Sequence, residues 1–70
     1  MRSLMNVKPG NVCTIKWLLG MPEVLEFMER YHIRQGSHVE IIQNRADGLI
    51  IGTPDARLAL SRDVAERIKV

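Results

Sequence analysis

The sequence predicts a mainly β fold: one small closed or nearly closed barrel of about five short strands, with one inserted α-helix and a short C-terminal helix. Three observations lead there. The chain has 70 residues, enough for a single domain over 1–70 and no more. Short apolar–polar alternations recur along it, separated by turn signals at Pro9-Gly10, Gln35-Gly36, Asp47-Gly48 and Pro54-Asp55. Helical features gather in only two later stretches, one opening at Pro22 and one capped by Ser61. In so short a chain, closing the sheet also removes exposed strand edges.

The elements follow in order. Ser3 is placed to cap one helical turn over Leu4, Met5 and Val7. Pro9-Gly10 then turns the chain, proline fixing φ and glycine accepting a positive φ. Residues 12–19 read as a strand with Cys13 and Ile15 inward and Thr14 and Lys16 outward, and its alternation breaks near Trp17-Leu18-Leu19. Gly20 and Pro22 introduce a helix, since proline suits the first helical position. Val24, Leu25, Met28 and Tyr31 give it an apolar stripe, Glu23 sits in the first turn, and Glu26 faces Arg30 one turn on. This helix is expected to end near His32.

Gln35-Gly36 leads to a strand over His38–Ile42, with Val39 and Ile41 inward. Asp47-Gly48 is a hairpin signal, and Leu49–Thr53 and Arg57–Leu60 are the next two strands. Ser61 caps a short helix through Val64 and Ala65, and Ile68-Lys69-Val70 returns to β alternation. A local echo links two regions. Val7-Lys8-Pro9-Gly10 leads to Cys13 and Ile15, as Ile33-Arg34-Gln35-Gly36 leads to Val39 and Ile41. It is one strand-leading device used twice, too few copies for a solenoid.

Composition narrows the function. A chain of this length buries only about 60% of its unfolded surface, leaving no room for a deep substrate cavity and its supporting shells. The apolar fraction of 46% argues against disorder. Net charge is +2 with the signs interleaved, which is weak basicity rather than a nucleic-acid patch. A lone cysteine fits a reducing cytoplasm. No signal-peptide pattern opens the chain, and the longest apolar stretches fall far below the roughly 18–20 residues that span a bilayer. The expectation is a complete cytoplasmic protein that reaches a membrane only through a partner. It is not expected to be an enzyme: there is no Ser-His-Asp or Cys-His constellation and no Gly-rich phosphate cradle. Cys13 is read as a packed side chain rather than a reactive thiol.

The run Val7-x-Pro9-Gly10, Ile15, the helix with Met28, Ile33-x-x-Gly36, Val39-x-Ile41, Gly48, Leu58-Ala59-Leu60, Ala65, Ile68 and Val70 resembles the ferrous iron transport protein A (FeoA-like) family over nearly the whole chain. The most specific part is Arg57-Leu58-Ala59-Leu60-Ser61-Arg62 followed by Val64-Ala65-x-x-Ile68-x-Val70. The resemblance implies an SH3-like barrel. It also implies a small cytoplasmic accessory of a ferrous iron membrane transporter, with that transporter's cytoplasmic GTP-binding domain as partner. The chain departs from the family pattern in three places: Phe27-Met28 stands where the helix usually carries Arg-Leu, His32 replaces the glycine after that helix, and the proline the family often has shortly after the Gly48 position is missing.

Three binding surfaces are set against one another. A divalent metal ion is the one cofactor to consider, with His38, Glu40 and His32 as candidate ligands. His38 and Glu40 share a strand face, but a stable site wants three or four ligands, and the alternative function is a metal-sensing module. RNA is a second alternative, with Trp17 and Tyr31 able to stack on bases, though acids interrupt every basic stretch. Protein docking is the leading reading. Leu18, Leu19, Met21 and Phe27 gather at the strand-to-helix junction as the candidate partner-binding residues. Trp17 is expected to anchor the core, with a docking hot spot as the alternative.

Overall fold

The structure is a computed structural model and describes residues 2–70. After a 3-10 turn over Leu4–Asn6 come β1 (Val12–Thr14), β2 (Trp17–Leu18), α1 (Pro22–Arg30), β3 (His38–Arg45), β4 (Gly48–Gly52), β5 (Arg57–Ser61), α2 (Arg62–Glu66) and β6 (Ile68–Lys69). All strand pairs are antiparallel: β1-β3-β4-β5 form one sheet, and β2 pairs with β6 in a second, two-stranded ladder. The fold is the mainly β, SH3-like barrel with two helices that the sequence predicts.

The strand expected over 12–19 is two strands. At Ile15-Lys16 the chain changes partners: the Ile15 N–H donates to the Ser37 carbonyl, and the Lys16 N–H to the Lys69 carbonyl, both at 2.8 Å. The break lies just before Trp17, where the chain passes from one sheet to the other, so the described residues form six strands. The third strand is also longer than its apolar run. It continues through Gln43, Asn44 and Arg45, which pair with Ile50, Leu49 and Gly48 after a bulge at Ile42. Asn44 Nδ2 ties this extension to the N-terminal segment by donating to the Met5 and Val7 carbonyls at 2.8 and 3.1 Å.

The echoed sequences form a matched pair. Gly10 and Gly36 both take positive φ, +90° and +92°. The Gly10 N–H donates to the Ile41 carbonyl at 2.7 Å, and the Ile41 N–H returns a bond to Asn11 at 2.9 Å. Gly36 donates to Ile15 at 2.7 Å, and Ile15 returns its bond to Ser37. Cys13 pairs with Val39 at the centre of this arrangement. Each turn's glycine is thus satisfied by the strand that the other turn leads into.

α1 starts at Pro22, with Met21 in extended conformation before it. Its last turn closes as a Schellman motif: the His32 N–H donates to Glu29 at 3.0 Å and the Ile33 N–H to Met28 at 2.9 Å. Met28 and Ile33 are both buried, the apolar contact that accompanies this motif. His32 occupies the left-handed position at φ 60°, where glycine is free of steric cost. Ser61 caps α2, its Oγ accepting from the Val64 N–H at 3.3 Å. Ser3 precedes the 3-10 turn as expected, but its side chain makes no capping bond.

The β3–β4 hairpin stands where Asp47-Gly48 signalled it, for a different reason. Arg45 pairs with Gly48, so Ala46 and Asp47 form the loop and Gly48 is already in the strand. Its φ is not in the left-handed region. What requires glycine is the close approach of β5, because a Cβ there would collide with the Leu60 carbonyl oxygen.

The barrel is filled from every element. Leu4, Ile15, Met28, Ile33, Val39, Ile41, Ile51, Ala65 and Ile68 are almost completely buried, with Val7, Leu49 and Leu60 beside them. Val39 and Ile41 face inward as expected. No charged or polar residue is buried among the described residues.

Candidate docking surface

Among the described residues, the large apolar side chains the core leaves outside are those of Val12, Trp17, Leu19, Met21 and Phe27, between 41 and 65% exposed. Trp17, expected in the core, is 51% exposed. The cause is register. Leu18 pairs with Ile68 and turns inward with it, so Trp17 must face outward beside Lys69. Of the four residues predicted at the strand-to-helix junction, Leu18 is half-buried against the core, while Leu19, Met21 and Phe27 are exposed.

Phe27 sits on the outer side of α1, its ring 5.1 Å from that of Tyr31 and tilted by 55°. Val24, three residues before it on the helix, and Met28, next to it, reach toward the core. Between α1, β5 and α2 these side chains line an apolar cleft of about 240 Å³, whose far wall is Ala59, Leu60 and Val64 and whose rim carries Glu23. Sequence reasoning found Phe27 but not Ala59, Leu60 or Val64. Those residues reach the helix only through tertiary packing; the signal was the outward position of Ala59 next to inward Leu60 on β5.

The predicted metal ligands do not converge. His38 and Glu40 share the exposed face of β3, where His38 Nδ1 is 2.9 Å from Thr14 Oγ1. His32 Nδ1 lies 3.3 Å from Asp55 Oδ2, with both side chains about two-thirds exposed. His32, His38 and Asp55 line one shallow cleft beside Pro54, but among the described residues no three His, Cys, Asp or Glu side chains are grouped to hold a metal ion. Cys13 is half-buried, and burial pushes its thiol pKa up despite the opposing charge of Arg2. That environment suits packing rather than nucleophilic chemistry.

Among the described residues no helix is long and apolar enough to cross a membrane.

Comparison with solved structures places the fold. The chain resembles an iron uptake regulatory protein (FeoA) at TM-score 0.82 and 19% identity, covering 94% of this chain and 89% of that one. It matches the FeoA protein from Chlorobium tepidum at TM-score 0.87 and 17% identity, covering 96% of this chain and 66% of that one. It also matches a manganese-dependent transcriptional repressor at TM-score 0.85 and 20% identity, covering 96% of this chain but only 39% of the repressor. The chain therefore spans nearly all of the first relative, about two thirds of the second and well under half of the third. No curated protein sequence matches it significantly. The profile of the FeoA domain matches residues 2–70, and the chain belongs to the FeoA domain family.

Proposed function

We propose that the chain is a small, non-catalytic cytoplasmic accessory of ferrous iron uptake that docks on the cytoplasmic GTP-binding domain of a membrane iron transporter and modulates it. Membership of the FeoA family supports the link to ferrous iron transport. The apolar cleft of Val24, Phe27, Met28, Ala59, Leu60 and Val64 is the observation that carries the docking reading. It is open, almost wholly apolar and edged by an exposed aromatic ring, the chemistry of a protein-binding surface. Met21 and Leu19, exposed just before α1, extend the apolar area on the N-terminal side of the helix. Leu18 supports the junction from its inner side. Modulation requires that this surface bind two states of the partner unequally, because only differential affinity shifts an equilibrium.

The test is an NMR titration of the labelled chain with the GTP-binding domain, nucleotide-free and bound to GDP or a GTP analogue. Clustered shifts over Leu19–Phe27 and at Leu60 and Val64 are expected, and their dependence on nucleotide measures the differential affinity. Unmoved signals in all three forms would remove the docking reading while leaving the fold intact.

A further inference from the structure

A second surface adjoins the α1 cleft: it shares exposed Leu19 and Met21 with the cleft's N-terminal edge but none of the residues that line the cleft. The register of the β2–β6 ladder sets Trp17 opposite Lys69 and Leu18 opposite Ile68. Leu18 and Ile68 point into the barrel, so Trp17 and Lys69 share the outer face. The ladder runs on by one bond, from the Leu19 N–H to the Arg67 carbonyl at 3.0 Å, which brings exposed Leu19 beside Arg67. Lys16 precedes Trp17 and is exposed. Trp17 and Leu19 thus stand on one face beside Lys69 and Arg67, with exposed Lys16 and Met21 flanking them in sequence.

The charges of this face are uncompensated. Among the described residues, none of Lys16, Arg67 and Lys69 lies within ion-pair distance of a carboxylate. The acid next in sequence, Glu66, is bonded to Arg62 at 2.7 Å. Lys69 Nζ donates to the Glu66 backbone carbonyl at 2.8 Å, which occupies one of its protons and leaves its charge. The site therefore calls for an anionic occupant that also accepts an indole and two aliphatic side chains.

We infer that the outer face of the β2–β6 ladder binds the headgroup layer of an anionic bilayer. Trp17, Leu19 and Met21 enter the interface, while Lys16, Arg67 and Lys69 meet the lipid phosphates and carboxylates. Tryptophan favours the boundary between headgroups and acyl chains because it is apolar with one N–H donor. Each cation near an anionic surface strengthens partition about fivefold, and the effect fades within a Debye length. A bilayer suits this face better than a nucleic acid, since it offers one stacking ring and two aliphatic residues. It also suits it better than a bound peptide, since the ladder is a ribbon face rather than a groove. This goes beyond the docking reading: it would hold the domain at the membrane surface, with the α1 cleft free for a protein partner.

The experiment uses the whole chain and vesicles without any protein partner, so its outcome is independent of the docking reading. Trp17 is the single tryptophan, so its fluorescence reports this face alone. Vesicles of phosphatidylserine and phosphatidylcholine are expected to blue-shift Trp17 and to sediment the chain. Phosphatidylcholine alone should do neither, and added salt should reverse the binding. Lys16→Glu combined with Arg67→Glu should weaken vesicle binding at least tenfold, and Trp17→Ala should weaken sedimentation similarly. Unchanged circular dichroism will establish that these exposed substitutions leave the fold intact. Failure to sediment with the phosphatidylserine vesicles would overturn the proposal. So would a Trp17 shift of equal size with single-stranded oligonucleotide or soluble polyglutamate, because the face would then read negative charge rather than a lipid interface.

Discussion

Replacing Gly48 with alanine tests the close backbone approach between β4 and β5. The new Cβ would overlap the Leu60 carbonyl oxygen and lie 3.2 Å from the Leu60 carbonyl carbon and 3.3 Å from Ser61 Cα. All three atoms are backbone, so no side chain can rotate away. The end of the β4–β5 ladder, where Gly48 pairs with Ser61, must open instead. Overpacking of this kind costs roughly 1–3 kcal/mol, and loosening one ladder hydrogen bond adds about 1 kcal/mol. Alanine's smaller unfolded-state entropy returns about 0.4–1 kcal/mol. The net expectation is a loss of about 2 kcal/mol, from a total of roughly 3.5–10 kcal/mol for a domain of this size. Urea denaturation should show a lower midpoint at unchanged slope, and the melting temperature should fall by about 10–15 °C. Gly52→Ala is the internal control. Its Cβ meets only the Ile42 side chain, Cδ1 at 3.1 Å and Cγ1 at 3.7 Å, and about 0.5 kcal/mol or less is expected. If both variants lose the same stability, contact with β5 is not what demands glycine at 48.

Three further outcomes follow. His32→Gly should raise stability by about 1 kcal/mol: it relieves the left-handed strain and removes only an exposed contact to Asp55, and an unchanged or lower melting point would count against strain at this position. Ile41→Asp should abolish the cooperative thermal transition, because it buries an unpaired charge in the centre of the barrel; a variant that melts like the parent would show the β3 register to be wrong. The Cys13 thiol, its pKa raised by burial, should react slowly with a disulfide reagent at neutral pH and faster only above the ordinary thiol range. The same shift makes its stability contribution complete below the unfolded thiol's pKa and lost as pH rises through the folded one, so Cys13→Ala should flatten the alkaline decline in stability.

What the sequence reveals is what local patterns encode. α1 was legible because Pro22 opens it and Val24, Leu25 and Met28 repeat at helical spacing; the strand core at Val39 and Ile41 was legible because alternation is strict there. The break between β1 and β2 was misplaced because it is a change of partner, from Ser37 to Lys69, and those residues are far away in sequence. The polar residues Gln43 to Arg45 hide the second half of β3, which is held by its neighbour rather than by its own burial. Trp17 misled because size suggests a core residue, whereas its exposure is set by the pairing of Leu18 with Ile68. The candidate site divides the same way. Phe27 could be read from its place on the helix, but the wall it faces is supplied by β5 and α2, and only the closed barrel assembles it.

The crossed bonds of Gly10 and Gly36 bear on how the chain reaches this state. Each turn is closed locally, by Asn11 N–H to the Lys8 carbonyl at 3.3 Å and by Ser37 N–H to the Arg34 carbonyl at 3.0 Å, but its glycine amide finds its acceptor only on the other segment. Local turn formation is among the fastest steps in folding, whereas locking these glycines waits on a long-range encounter. The entropy of closing the intervening loop must be met before either glycine amide is satisfied. The two crossed bonds should therefore form, and open, as one kinetic event centred on the Cys13–Val39 pair.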